Sequence, residues 1–454
     1  MQTNVLIAFF EVKREMKKLL NIATYIYIIT TLFEGIFRKW ILPQFSTPLM
    51  AVKQIIGCTI FSLGIGYWKY FTAWEKSSIL IGIIAFFSTM LFGHGNLAVA
   101  IYGCLPMIFG IPLCLIISKV FEEQDVIKIG KLFVVVAFVN CVFLIIQYNL
   151  PITHFLNFMA GDSSRIEEMS ISELAGGFRP SGLFYHSTHN ALFSLIGLSF
   201  VLYFYFYKRS INFFGFLGFL VLDIIACLCS VSRTNVLMHI GLILVFFILV
   251  AKKREKRQTV ITLIIFICAI SLVSRITNTY KSAVTNMSNR FEQASEAQYR
   301  GASTTQGTLN DIWYRGVQYQ INAIIDPKTF DEESPPFWGF GQGMSTQIGG
   351  QILGVGEENS GFSLGEFDGL RIMCESGLLV GWIIIYIRLG YAFRFLFSIA
   401  RMKRRKQFLA LCLLFSFITS FYLLNNWGNL FTANMAFIVG GLFLTSYKSK
   451  LTKA

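Results

Sequence analysis

The chain is 454 residues long and 54% hydrophobic, with 14% charged residues and a formal net charge of +14. A soluble domain carries roughly a quarter charged residues, so these values and a mean hydropathy of +0.60 exclude a water-soluble enzyme, a disordered tail and a fibrous chain, and point to a membrane protein. In a soluble protein a pI near 9.3 would suggest nucleic acid, whereas in a membrane protein it asks on which side the charges lie.

A bilayer core of ~30 Å takes about 20 helical residues to cross. Apolar runs of that size centre near Tyr25, Ile60, Ile84, Ile108, Val136, Gly197, Phe219, Leu244, Ile265, Ile384, Leu414 and Phe437. They predict an all-α polytopic membrane protein of about twelve crossings, with eleven or thirteen as alternatives because the stretches near His94 and Asn425 are short. The first run is followed by Phe37-Arg38-Lys39-Trp40 rather than a small-residue cleavage site, so it is expected to stay in the membrane. The chain divides into residues 1–273, with nine crossings and a polar loop over about 150–189; residues 274–370, a long loop; and residues 371–454, with three crossings and a tail. A structureless connection as long as the second loop is uncommon, so it is expected to fold as a lid, with helices over Thr277–Ala302 and Leu309–Ile325 and turns around Pro335-Pro336 and Trp338-Gly-Phe-Gly-Gln-Gly-Met-Ser.

With the amino terminus set in the cytoplasm, 26 of the 39 basic residues and seven of the 25 acidic ones fall on cytoplasmic loops, a net +19, which leaves −5 for everything else. Arg388 is counted among those 26. The basic balance is therefore a topology signal that puts both termini in the cytoplasm, and it gives no support for a nucleic-acid partner. All nine cysteines lie in or beside apolar runs and are expected to be small packing residues rather than a disulfide framework.

Ionisable residues at membrane depth are functional candidates by default. Here they gather at the ends of crossings on the non-cytoplasmic side: Arg179 in Gly-Gly-Phe-Arg-Pro-Ser-Gly-Leu-Phe, Arg233 in Ser-Val-Ser-Arg-Thr, Arg315 in the lid, and Glu366, Asp368 and Arg371 before a crossing. Glu34 and Arg38, four apart on the first helix, are placed to pair. Several arginines at one membrane face suit a phosphate or pyrophosphate, and a nearby carboxylate can act as general base on a hydroxyl. The alternative for each arginine is that it anchors a helix end at the headgroups. His186 and His189 have the spacing of a metal pair but no third ligand nearby, so no metal is expected. Asp223, inside a crossing, is expected to pack against a neighbouring Ser or Tyr, with a proton relay as the alternative. There is no phosphate-cradling G-x-x-x-x-G-K and no Asp-x-Asp placed for a metal-bound nucleotide sugar, so no cofactor is expected.

Taken in order, these pieces resemble the O-antigen ligase and O-antigen polymerase superfamily of bacterial envelope glycosyltransferases. Arg179, Gly182 and Phe184 match an Arg-x-x-Gly-x-Phe piece, with the following Pro-Asn displaced to His189-Asn190. Ser232-Arg233 matches the next, and Arg315 followed by Gly339 and Gly341 matches a lid arginine with Gly-x-Gly. Glu366 through Leu370, with Glu375, Gly377, Leu378 and Gly381, resembles the last. Ligases of the family place a histidine where Glu366 stands, which favours polymerase.

The resemblance implies a GT-C-like fold in the bacterial inner membrane and inverting, metal-independent transfer on undecaprenyl-pyrophosphate-linked glycan donor and acceptor at the periplasmic face. A chain-length regulator would be a protein partner. Arg179, Arg233 and Arg315 would bind pyrophosphate, with Arg38, Asp368 and Arg371 beside them; Glu366 would be the base, and Trp338, Phe337 or Tyr314 would stack on sugars. The alternatives are a ligase acting on lipid A core or another acceptor and, more remotely, a transporter or lipid flippase.

Overall fold

A computed structural model describes residues 2–157, 179–250, 257, 260, 281–289, 337–354, 368–401, 408–422 and 429–448. The crossing expected at Ile265, the lid helix expected over Leu309–Ile325, and Arg315 and Glu366 lie outside the described residues. Within them there is no strand. The main helices are α1 (Gln2–Ile36), α2 (Ser46–Leu63), α3 (Ala73–Phe92), α4 (Leu97–Val120), α5 (Glu123–Asn149), α6 (Ser187–Leu202), α7 (Phe213–Cys229), α8 (Arg233–Val245), α9 (Gln347–Leu353), α10 (Asp368–Arg401), α11 (Phe408–Tyr422) and α12 (Leu430–Lys448). Residues 281–289 are also helical, inside the polar helix expected in the lid.

Among the described residues, eight stretches are long and apolar enough to cross a membrane: Arg14–Ile41, Pro43–Tyr70, Ala73–Phe92, Leu97–Val120, Glu123–Asn149, Thr188–Lys208, Arg371–Ser398 and Leu430–Lys448. Phe213–Cys229, Arg233–Ile248 and Phe408–Phe421 are apolar but shorter. The chain is thus a helical, multi-pass membrane protein. Each of the expected centres other than Ile265 falls within one of these stretches.

Local chemistry starts the helices where they start. Thr72 and Glu75 form a capping box on α3, as Glu122 and Asp125 do on α5. Asn96, Asn212 and Ser232 accept hydrogen bonds from the first turns of α4, α7 and α8. Each satisfies amides that a bilayer would leave unpaired. Pro106 has no N–H to give, and α4 passes through a π-turn there. Helices α6 and α12 are the innermost spans, with 83% and 89% of their apolar windows buried. Leu80, Ile84, Phe87 and Leu91 of α3, spaced by one turn each, stay exposed as a stripe for lipid.

The bundle has two unlike ends. One carries the 64–72 and 120–123 connections and is basic: Lys17 pairs with Glu122 at 2.8 Å, Arg394 with Glu75 at 3.2 Å, and Lys448 donates to Ser118. The other, the site end, carries the α1–α2 connection, the approach to α6 and the starts of α8 and α12.

Helix α10 is two arms joined at Gly377, where φ is +73°. A straight helix would hold Asp368 and Arg388 about 30 Å apart, yet Arg388 Nη2 donates to Asp368 Oδ2 at 2.6 Å and to the Phe421 carbonyl at 2.8 Å. The arms therefore fold back on each other. This corrects two expectations: Arg388 does not sit in a cytoplasmic loop, and Asp368 is a buried partner of that arginine. The charge pattern misled because loop position was inferred for a straight helix.

The break frees backbone groups that need partners away from water, and the glycine-rich turn at 337–345 supplies them. Phe340 N donates to Cys374 O at 2.8 Å, Gly341 N to Glu375 O at 3.0 Å, and Leu378 N to Phe337 O at 3.0 Å. The Glu375 carboxylate, 1% exposed, accepts from Gly343 N at 3.0 Å and Ser345 N at 2.6 Å. Gly339 has φ +81°, and a Cβ there would run into the backbone of Glu375 and Gly377.

Gly339→Ala is therefore expected to destabilise the protein by about 1–3 kcal/mol. Gly66→Ala, where a Cβ meets nothing within 4 Å, is expected to stay within about 0.5 kcal/mol. Thermal unfolding of both variants in detergent measures the contrast.

Candidate functional site

At the site end, α1 and α2 run antiparallel and bring Glu34, Arg38 and Lys53 to one point. The spacing of four on α1 puts Glu34 and Arg38 on the same face, and Arg38 Nη1 donates to Glu34 Oε1 at 3.0 Å. Lys53 donates to the other carboxylate oxygen, Oε2. Arg38 Nε reaches Ser46 Oγ at 3.0 Å, and the guanidinium lies 4.2 Å from the centre of the Tyr185 ring. Glu34, Arg38 and Lys53 are 3–5% exposed, so one carboxylate holds two cations out of solvent.

A third buried cation, Lys39, works differently. Its ammonium donates to Ser181 Oγ at 2.8 Å, to Gly182 O at 3.1 Å and to Phe184 O at 3.2 Å. All three N–H groups are spent on one loop. That loop is fixed from below by α5: Gly182 N donates to Gln147 Oε1 at 2.8 Å and Leu183 N to Asn140 Oδ1 at 2.9 Å. Gly182 needs its glycine, with φ +63° and a Cβ position that would overlap Asn140 Oδ1. Gly35 of α1 lies against the backbone of Leu183–Tyr185, which lets the loop descend onto the helix.

Lys53 keeps donor capacity: one hydrogen bond, to Glu34, uses one of its three N–H groups, and its ammonium stands 5.8 Å from the Phe431 ring. Phe431 also stacks on His189, centroids 4.1 Å apart. His189 Nε2 lies 2.8 Å from Asn429 Oδ1 while its Nδ1 is buried without a partner. Gln54, one residue after Lys53, is 1% exposed with both amide atoms unpartnered. Arg179, two residues before the Lys39-bound loop, is half-buried with its Nε equally unpartnered. Buried polar groups are costly when unpaired, and these stand near a cluster in which two cations share one carboxylate.

The residues expected from the sequence divide among three places. Arg38 belongs to this cluster, and Arg179 stands two residues before the loop that Lys39 holds. Trp338 and Arg371 belong to the glycine-rich turn, where Trp338 stacks on Phe92 at 4.7 Å and Arg371 Nη1 donates to Ser345 O at 3.2 Å. One face of Trp338 is thus taken by protein rather than left for sugar. Arg233 is the first residue of α8, half-buried at the same end. Asp368 leaves the set for its bond with Arg388. The turn and the cluster adjoin through α9, whose Ile348 packs with Met50 of α2, Tyr102 of α4 and Leu430 of α12.

Lys53 and Lys39 were not singled out from the sequence, His189 was weighed only as half of a metal pair and within a displaced motif, and Glu375 only as part of the last matching piece. Lys53 had a signal, a lone lysine within an apolar run. His186 caps α6, its Nδ1 accepting from Thr188 N at 3.2 Å, which requires that nitrogen to be unprotonated; burial pushes its pKa below the usual value in the same sense. The expectation for Asp223 is corrected: its partners are His239 and Cys141, not Ser or Tyr. Asp223 and His239 lie within apolar helices, and Arg388 within α10 reaches back to Asp368 at the start of that helix. No protein-family model matches the chain, and a search of curated proteins returns no match.

Glu34→Gln is expected to lower unfolding stability by about 3 kcal/mol, because it strands Arg38 and Lys53 together without their counter-charge. Adding Lys53→Met to that variant is expected to restore part of the loss. Equal unfolding temperatures for the single and double variants would show that the two cations do not depend on this carboxylate.

Proposed function

We propose that the protein is a membrane glycosyltransferase that polymerises undecaprenyl-pyrophosphate-linked repeat units of a bacterial surface polysaccharide: O-antigen, capsule or exopolysaccharide. The observation that carries this is the buried cluster at one end of the bundle, in which Arg38 and Lys53 share the single carboxylate of Glu34 and Lys53 keeps two of its three donors, with the Arg179 Nε unpartnered beside the Lys39-bound loop. Pyrophosphate is a good leaving group already, so such a site needs cationic stabilisation of developing negative charge and a base for the acceptor hydroxyl. Arg38 and Arg179, with Lys53, would take the pyrophosphate; Arg233 and Arg315 would complete its binding, and Glu366 would be the base, in an inverting transfer without metal. Arg371 would act indirectly, by holding the glycine-rich turn.

Two of the four sequence pieces that resemble the polymerase and ligase superfamily meet in space, Gly339 and Gly341 pairing with the Glu375–Gly377 break, which supports a shared architecture. In a bacterial cytoplasmic membrane the basic end would face the cytoplasm and the site end the periplasm, with the 274–370 segment as the lid that positions the acceptor and excludes water. A transporter or flippase is the second reading, favoured by the ion pairs inside the bundle.

Disruption of the gene separates the readings by product. A polymerase leaves single repeats still attached at the surface, a ligase leaves long chains on undecaprenyl carrier, and a flippase leaves repeats on the cytoplasmic leaflet. Arg38→Ala and Arg233→Ala are expected to reduce chain extension about a hundredfold or more, seen as collapse of the glycan ladder at normal protein level. Glu366→Gln is expected to abolish extension while Glu366→Asp retains some; an unaltered ladder in Arg233→Ala removes that residue from pyrophosphate binding.

A further inference from the structure

Away from the cation cluster, Asp223 of α7 and His239 of α8 face each other inside the bundle, 1% and 5% exposed, with His239 Nε2 3.2 Å from Asp223 Oδ2. The other ring nitrogen, Nδ1, is 2.7 Å from the Asn235 carbonyl oxygen. A carbonyl only accepts, so Nδ1 must carry a hydrogen. Turning the ring over would set a carbon against that oxygen at the same distance, so the orientation is fixed. A neutral imidazole has one N–H, and here Nδ1 uses it; Nε2 would then turn a lone pair toward a carboxylate oxygen. Two acceptors at 3.2 Å in an apolar interior repel.

We propose that Asp223 and His239 form a proton-binding site in the membrane interior, in which the pair jointly holds one proton more than a carboxylate and a neutral imidazole. The proton completes either an imidazolium beside a carboxylate or a carboxylic acid beside a neutral ring. Both forms are neutral as a pair, whereas without the proton the pair is a lone buried carboxylate, which apolar surroundings penalise heavily. Cys141 of α5, whose Sγ donates to Asp223 Oδ1 at 3.6 Å, and Cys227, one turn along α7, are the titratable groups beside the pair. Helices α6 and α11 also pack on α8, and among the described residues they set no charge against His239. The site lies directly below the α7–α8 turn. Asn235 Nδ2 donates to Ser230 Oγ at 3.3 Å and Ser230 Oγ to Cys227 O at 2.7 Å, so side-chain bonds link α8 to the turn and the end of α7 beside the pair. This holds whatever the protein's substrate.

The test uses the full-length protein in lipid nanodiscs with isotope-labelled histidine, at about pH 8, where a free imidazole of pKa near 6.5 is almost wholly neutral. One of the five histidines is expected to show both ring nitrogens protonated, or the infrared spectrum to show a protonated carboxyl band. The imidazolium signal is expected to vanish in His239→Gln and to turn neutral in Asp223→Asn; the carboxyl band is expected to vanish in Asp223→Asn. Where Asp223→Asn fails to fold, carbon labelling of aspartate in the wild type assigns the band instead. Five neutral rings with no aspartyl carboxyl band, or a signal indifferent to these substitutions, overturns the proposal.

Discussion

Moving a carboxylate and two cations out of water together costs several kcal/mol per ion unless their geometry makes it good, and Glu34 meets that demand at the site end. Its two oxygens face Arg38 and Lys53 from helices that run in opposite directions. The α1–α2 hairpin is tied by this contact at its closed end, and neighbouring parts use it as a foundation. Ser46 and Tyr185 complete the guanidinium's surroundings. Phe431, at the head of the most buried of the described spans, stacks on His189 and stands 5.8 Å from the lysine. Glu34 is thus a positioning residue for the cations rather than a group available for proton transfer, because both its oxygens are engaged.

A second demand, that every backbone group in a membrane interior find a partner, explains the other half of the site end. Breaking α10 at Gly377 would leave amides and carbonyls unmade. The turn at 337–345 makes them good, but only by adopting left-handed backbone at Gly339, Gly341 and Gly343. The Glu375 side chain then caps the same turn. Helix break, glycine turn and buried carboxylate each require the other two. Through α9 and Ile348 the unit leans on α2 and α12 next to Lys53.

Much of the fold was legible because crossing a bilayer needs long apolar runs, and such runs mark themselves. The Glu34–Arg38 pair was legible for a similar reason, since a spacing of four on a helix has one geometric meaning. What escaped were contacts between segments far apart in sequence. Nothing in Gly377 as a letter says that α10 folds back and carries Arg388 to Asp368. Lys39 reads as a flanking anchor, yet its three donors organise the loop from Ser181 to Phe184. Asp223 invited a search for a hydroxyl partner, while the partner was an imidazole sixteen positions on, across a turn. Pairing across a bundle depends on helix rotation, which periodicity leaves open when a helix is apolar all round.

Charge placement decides how an anion would be held. On the function proposed, binding would come from individual donors in a dry place, where each is worth more than in water. The cations there are unequal in that respect. Lys39 has spent all three N–H groups on the loop and has none to offer a ligand. Arg38 is braced on Glu34, Ser46 and Tyr185, which fixes its plane. Lys53 has used one donor of three, and Arg179 holds a buried Nε without a partner. The division of labour follows: Lys39 builds the loop and Glu34 aims the pair, while Lys53 and Arg179 hold the donors that an oxyanion would fill on the function proposed above.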